Sequence, residues 1–361
     1  MIRAVCSCVL TLAFVACVGE GSKERANSAG ASPEGAVPSG GTAENIDGIT
    51  LHLVSGVPLA PVGIINAVGR HLDRYFILDQ SNKRILFVDN EGNVKTARGR
   101  SGRGPGEYQL PLSAASSKNG TVAIWDPGNL GITLLNEDGE YIKRVTVKWP
   151  IARLLWACEG SVLASVQFGN PESAEGVPIA MLYRPDGTLI RETQAWPHWS
   201  KDVNLSFAML NPTVDGCRLN VMEAFGSGIG SLTIADSGDK LSYHDASDWL
   251  ENTATPIMKD IKSGIPPELA VVGRWRHQGM WELGSDSLLV IQMDIERDQG
   301  QKYRYLLKTG SRVTTSPSTT VVLYEVSDGV GVFARQDDRG DVYVGSAPLA
   351  ALVRWVGRGK R

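Results

Sequence analysis

Three stretches gather residue types that recognition or catalysis uses. The first runs Arg98-Gly99-Arg100-Ser101-Gly102-Arg103-Gly104-Pro105-Gly106-Glu107-Tyr108. It reads in two ways. The glycines permit positive φ, Pro105 stiffens a connection, and Glu107 accepts hydrogen bonds from backbone amides of a turn. Alternatively Lys95, Arg98, Arg100 and Arg103 form a basic loop with open backbone donors that binds a ligand, with Glu107 and Tyr108 at its end. The second stretch is Trp196-Pro197-His198-Trp199 and the third is Arg274-Trp275-Arg276-His277. Trp and Arg are what recognition surfaces favour, and packing between strands is the structural alternative for each Trp. His52, His71, His198, His244 and His277 are too scattered for a local metal signature. There is no P-loop, no His-Glu-x-x-His and no Cys-x-x-Cys. Gly226-Ser227-Gly228-Ile229-Gly230 misses the dinucleotide spacing by one position, and Arg103 stands where a nucleophile elbow needs its second glycine. No catalytic residue, metal or cofactor is therefore assigned.

Composition narrows the classes further. Lys plus Arg is 36 against 39 Asp plus Glu, a net charge of -3, so the whole molecule does not attract nucleic acid. Apolar residues are 42%, too many for a disordered chain. A length of 361 suggests two or three domains unless the chain repeats.

The first residues read as an address. Arg3 precedes an uncharged apolar run, Ala4 to Val18, shorter than the roughly 20 residues a membrane helix needs. Its end, Phe14-Val15-Ala16-Cys17, resembles the lipobox of bacterial lipoproteins, with Phe14 where Leu is usual. The resemblance implies a signal peptide over 1–16 and a lipid on Cys17. Val18, in place of the Asp of an inner-membrane retention signal, implies the outer membrane or cell surface. Residues 17–45 are rich in Gly, Ser, Ala and Pro and are expected to be a disordered tether. Cys158 and Cys217 then remain, either as a disulfide or as two separate thiols.

The rest repeats. Runs such as RYFILDQSNKRILFVDNEGNV and GTVAIWDPGNLGITLLNEDGEYI alternate β-rich segments with Asp, Asn and Gly turns. Gly92, Gly139, Gly187, Gly238, Gly310 and Gly357 mark the phase, at intervals of 47, 48, 51, 72 and 47. The long interval holds a helical insertion, Ser247 to Glu268. Each repeat reads as four antiparallel strands. The sixth copy, including GDVYVGS and ALVRWVG, ends after three strands at Trp355, and the spare strand Ile49–Val54 closes it. The expectation is an all-β, six-bladed β-propeller over 46–361, with four-stranded blades and one insertion between blades 4 and 5.

The segment Gly99 to Tyr108, with the FILDQSNKRILFVDNEGNV run before it, resembles bacterial six-bladed β-propeller lipoproteins related to NHL repeats. The match is strong over Arg74 to Tyr108 and mostly one of spacing after the second blade. It implies an extracytoplasmic propeller. Strand order puts the interblade loops and the loops from strand two to strand three on one face, so Arg, Trp and His should collect there. The expected function is a monomeric binding or scaffold module taking a protein, peptide or saccharide on that face, with the membrane met only through the lipid. The alternative is a metal-dependent propeller hydrolase or lyase with His, Asp, Glu or Asn converging on the central channel.

Overall fold

The computed structural model describes residues 42–358, apart from 58–59, 158–160, 167–177, 194–207, 213–217, 236–237, 266, 284–285 and 297–299. Cys17, Cys158, Trp196, His198, Trp199 and Cys217 lie outside the described residues.

Short apolar runs punctuated by turn residues become strands. β1 (Ala43–Ile46) and β2 (Ile49–Leu53) form a hairpin around Asp47-Gly48, whose φ values of 51° and 93° are those an Asp-Gly hairpin turn requires. The next two sheets are β3 (Ile65–His71), β4 (Arg74–Asp79), β5 (Arg84–Val88), β6 (Val94–Arg98) and β7 (Ser113–Ser116), β8 (Val122–Asp126), β9 (Gly131–Leu135), β10 (Tyr141–Thr146). The third and fourth are β11 (Ile151–Ala157), β12 (Ser161–Val166), β13 (Ala180–Tyr183), β14 (Leu189–Glu192) and β15 (Ala208–Pro212), β16 (Arg218–Glu223), β17 (Gly228–Thr233), β18 (Lys240–Asp245). The fifth is β19 (Arg276–Glu282), β20 (Ser287–Glu296), β21 (Gly300–Thr309), β22 (Arg312–Thr315). The last combines β23 (Val322–Ser327), β24 (Val330–Gln336) and β25 (Val342–Pro348) with β2 and β1 from the other end of the chain. Among the described residues five sheets thus have four strands and one has five.

The inner strands β3, β7, β11, β15 and β19 pack in succession, and β23 packs back on β3. The fifth and sixth sheets share a core that includes Trp281, Leu289, Tyr305, Ile49, Leu51 and Phe333. The ring is closed, and the chain is an all-β propeller. Middle strands are buried along their length, as in β5, because each sheet is covered on both faces by its neighbours, whereas the outer strand β10 is half exposed. N-terminal closure is as expected: β2 pairs β25, which removes an open edge of the last sheet.

Three expectations need correction. The expected propeller boundary at residue 46 is too late, because Ala43–Ile46 is β1, paired with β2, and Glu44 forms an ion pair with Arg335 of β24. The last blade accordingly has five strands. ALVRWVG is not a strand: Leu349–Arg358 is a helix, α3, and Gly357 lies within it. Leu349, Leu352, Val353 and Val356 recur at helical spacing, and Pro348 ends the strand before it. The three C-terminal strands are β23, β24 and β25 instead. The other five phase glycines all have positive φ.

The insertion contains α1 (Ala254–Lys262) and α2 (Pro267–Ala270), and Ile257, Ala270 and Val271 bury themselves on Ala224 and Phe225. Turns are braced by their first residue. Asp89, Asn136 and Asp337 each accept backbone N–H bonds from positions two and four residues on. Among the described residues no helix is long and apolar enough to cross a membrane.

Candidate functional site

Among the described residues the face carrying the interblade loops offers two corners where charged and aromatic side chains gather. The Arg98–Tyr108 loop occupies one corner, between the first and second blades. Its charges are paired within the loop or with the next blade. Glu107 accepts from Gly104 N at 2.8 Å and pairs with Arg100 at 2.8 Å, which holds its carboxyl below the usual range. Arg98 pairs with Glu140 of the next blade. Once the Gln109 amide is oriented by its neighbours, its oxygen accepts from Arg103 Nε at 2.8 Å. Tyr108 is fully buried among Phe76, Phe87 and Ile124, and burial pushes its phenol well up.

Arg144 and Asp126 fasten the loop from beneath. Arg144 donates to the carbonyls of Arg103, Gly104 and Glu107, at 2.8 to 3.2 Å. Asp126, at the end of β8, accepts from Gln109 N and Leu110 N, both at 2.8 Å, and from Asn129. Asp79 plays the equivalent part in the first blade, accepting from Gly63 N, Asn82 and Arg84. These bonds favour the conformational reading of the glycines, although the Arg100 side chain remains 81% exposed.

The second corner lies between the fourth and fifth blades, under the insertion. It gathers Trp275, Arg276 and His277 at the start of β19. Arg304 of β21 lies 4.0 Å from the Trp275 ring centroid, the geometry of a cation–π pair. The same guanidinium donates to Gln292 Oε1 at 2.6 Å and reaches Glu251 of the insertion at 3.4 Å. Thr253 Oγ1 donates within reach of the carbonyls of Phe225 and Trp275, which ties the insertion to the ring. Arg274 pairs with Asp260 of α1 at 2.9 Å. Trp275 and Arg304 therefore form a half-buried, braced platform.

His277 is not on that surface. It is 0% exposed, its N–H donates to Ala224 O, and its Nδ1 lies 2.7 Å from Glu223 O. A carbonyl only accepts, so Nδ1 carries the proton and Nε2 is a bare acceptor. Nε2 has no partner among the described residues. Burial pushes the imidazole down to about 4, and the Arg304 charge adds to that. Arg276 is held 5.9 Å above the Phe225 ring and burial lowers its pKa.

The propeller axis carries charges that local sequence motifs did not reveal. Arg153 of β11 sends Nη2 to the backbone carbonyl of Tyr324 on β23 at 2.7 Å. β11 and β23 belong to the third and sixth sheets of the ring, so this guanidinium spans the axis. Glu325, beside Tyr324, accepts from Arg70 N of β3 at 2.9 Å. The approach needs Gly69, because a Cβ there would collide with the Glu325 carboxylate. β-bulges after Ile151 and after Leu323 re-aim the residues that follow, Arg153 and Glu325 among them. Burial pushes Glu325 up to about 7, against the pull of the Arg70 N–H and the Arg153 and Arg70 charges. The detectable sequence signal was a single charge inside an apolar run, IARLLWA and VLYEVS. Inner strands have one edge facing the axis, and these side chains satisfy unpaired backbone groups there.

Among the described residues no three His, Cys, Asp or Glu side chains converge as metal ligands. A guanidinium at the axis also opposes a divalent cation electrostatically. His71, the other fully buried histidine, is occupied by Ser116 Oγ at 2.9 Å and Glu137 O at 2.8 Å.

Residues 59–146 match the profile of a family described as a 6-bladed β-propeller. A protein of Bacteroides fragilis described as exported aligns at a TM-score of 0.54 and 14% identity, covering 86% of this chain and 98% of its own. A member of the DUF4221 family from Bacteroides vulgatus aligns at 0.53 and 10% identity, covering 82% and 98%. Virginiamycin B lyase of Staphylococcus aureus aligns at 0.49 and 12% identity, covering 84% and 86%. At these identities the likeness is one of fold. No curated protein sequence is similar to the chain at a significant level.

Proposed function

We propose that this chain is an extracytoplasmic, lipid-anchored, six-bladed propeller that works as a binding module. Its partner is a protein, peptide or saccharide taken on the insertion-bearing face. The observation that carries this reading is the Trp275–Arg304 pair at 4.0 Å, held by Gln292 and Glu251 at the blade 4–5 corner. A large amphipathic ring and a guanidinium already locked in one geometry lose little conformational freedom on binding, which is the character of an interface anchor. Likeness to an exported protein of the same fold supports the extracytoplasmic address.

Crosslinking in the native envelope tests the reading, comparing the unaltered protein with Trp275→Ala and Arg304→Ala. Both substitutions should abolish capture of one reproducible partner, whereas Arg100→Ala, at the other corner, should leave it intact. Equal capture by all three variants would reject the site. Membrane release by Cys17→Ser tests the anchor, and an unchanged membrane fraction would reject lipidation.

A further inference from the structure

The opposite side of the ring carries a different chemistry. α3 lies against β21, β22 and β25, and its inner face is fixed by Leu352, Trp355 and Val356. The Trp355 ring meets Tyr305 edge-on at 5.0 Å between centroids. The outer face presents Arg354 and Arg358, both exposed. One helical turn apart, they stand side by side. Together with Ala351 and the β1–β2 turn at Asp47-Gly48 they line a cavity of about 250 Å³.

These two guanidiniums are unlike most others in the molecule. Arg84, Arg98, Arg191, Arg274 and Arg335 each hold a carboxylate. Among the described residues Arg354 and Arg358 hold none, and no hydrogen bond engages either. α3 itself contains no Asp or Glu, and among the described residues the one carboxylate lining the cavity is Asp47. The buried face fixes the helix backbone, so both side chains spring from one rigid ledge beside the cavity.

We propose that the Arg354–Arg358 cavity is a binding site for a phosphate ester group. Phosphate suits it better than a carboxylate does. A carboxylate's two oxygens are saturated by one guanidinium fork, whereas a phosphate offers further oxygens to a second fork. The site is independent of the Trp275 corner and of the lipid anchor. The group has two sources, an anionic lipid headgroup or a soluble phosphate ester.

The test uses the full chain carrying Cys17→Ser, so that no acyl chain contributes, with and without the pair Arg354→Gln and Arg358→Gln. Both arginines are exposed and unpaired, so the altered chain should keep its fold, which circular dichroism verifies. One arm titrates inorganic phosphate at constant ionic strength, with chloride as reference, and reads the melting temperature. The other sediments the protein with phosphatidylglycerol or phosphatidylcholine vesicles. The expected result is a phosphate-specific rise in Tm, with affinity at least ten-fold weaker in the double variant. Preference for phosphatidylglycerol, lost in that variant, names the headgroup as source; a phosphate response without vesicle binding names a soluble ester. No phosphate-specific response together with no phosphatidylglycerol preference, or effects equal in both chains, would overturn the site.

Discussion

Arg153 and Tyr324 meet across the propeller axis, with a guanidinium nitrogen of the third blade 2.7 Å from a backbone carbonyl of the sixth. Next to that contact Glu325 reaches the first blade at Arg70 N. The seam where the two chain ends meet is thus held at its inner edge by a polar cluster and at its outer edge by β2 and β1. Arrangements of this kind oppose opening of the ring by satisfying edge groups that would otherwise be left unpaired.

The cluster makes stability depend on pH in a definite direction. Glu325 has a folded pKa of about 7 against 4.5 for the free side chain, so the folded state keeps its proton where the unfolded state has lost it. Its contribution is complete below pH 4.5 and is lost as pH rises through 7. Glu325→Gln, which cannot ionise, should therefore gain Tm relative to the unaltered protein between pH 5 and 8. Parallel Tm curves for the two proteins would show that the carboxyl does not titrate in this range.

His277 has the opposite sign. Its folded pKa is about 4 against 6.5, so its contribution is present above pH 6.5 and lost as pH falls toward 4. His277→Gln keeps a donor for Glu223 O but cannot charge. It should flatten the acid limb of the denaturation midpoint between pH 6.5 and 4, while costing about 1–2 kcal/mol at pH 7. An acid limb unchanged from that of the unaltered protein would count against burial of a neutral imidazole.

Gly69→Ala should destabilise by about 1–3 kcal/mol, because the new methyl group displaces the Glu325 carboxylate and presses on the Phe76 ring. In a Glu325→Ala background part of that cost should vanish. A coupling near 1 kcal/mol in denaturant titrations is expected, and strict additivity would separate the two residues.

Asp126→Ala should cost about 2–4 kcal/mol, since Gln109 N, Leu110 N and the Asn129 amide lose a buried acceptor. The Arg98–Tyr108 loop should become the first site of limited proteolysis. Retained protease resistance would assign loop order to Arg144 instead.

The chain's residues alone determined the repeat, five of its six phase markers and the pairing of the N-terminal strand with the last sheet. Strand-forming runs and turn glycines act on neighbours a few residues away, so Gly92, Gly139 and Gly187 could be read in order and found at positive φ. ALVRWVG misled because a short apolar run fits a strand or a helix equally, and only packing on Tyr305 arbitrates. Trp275, Arg276 and His277 are adjacent in sequence, yet burial separates their roles: the ring of Trp275 meets Arg304, and the imidazole of His277 faces a backbone carbonyl. Arg153, Glu325 and Gly69 had no legible relation at all. Closing the ring brings distant inner strands to one axis, and which side chains meet there is a property of tertiary structure that no local spacing encodes.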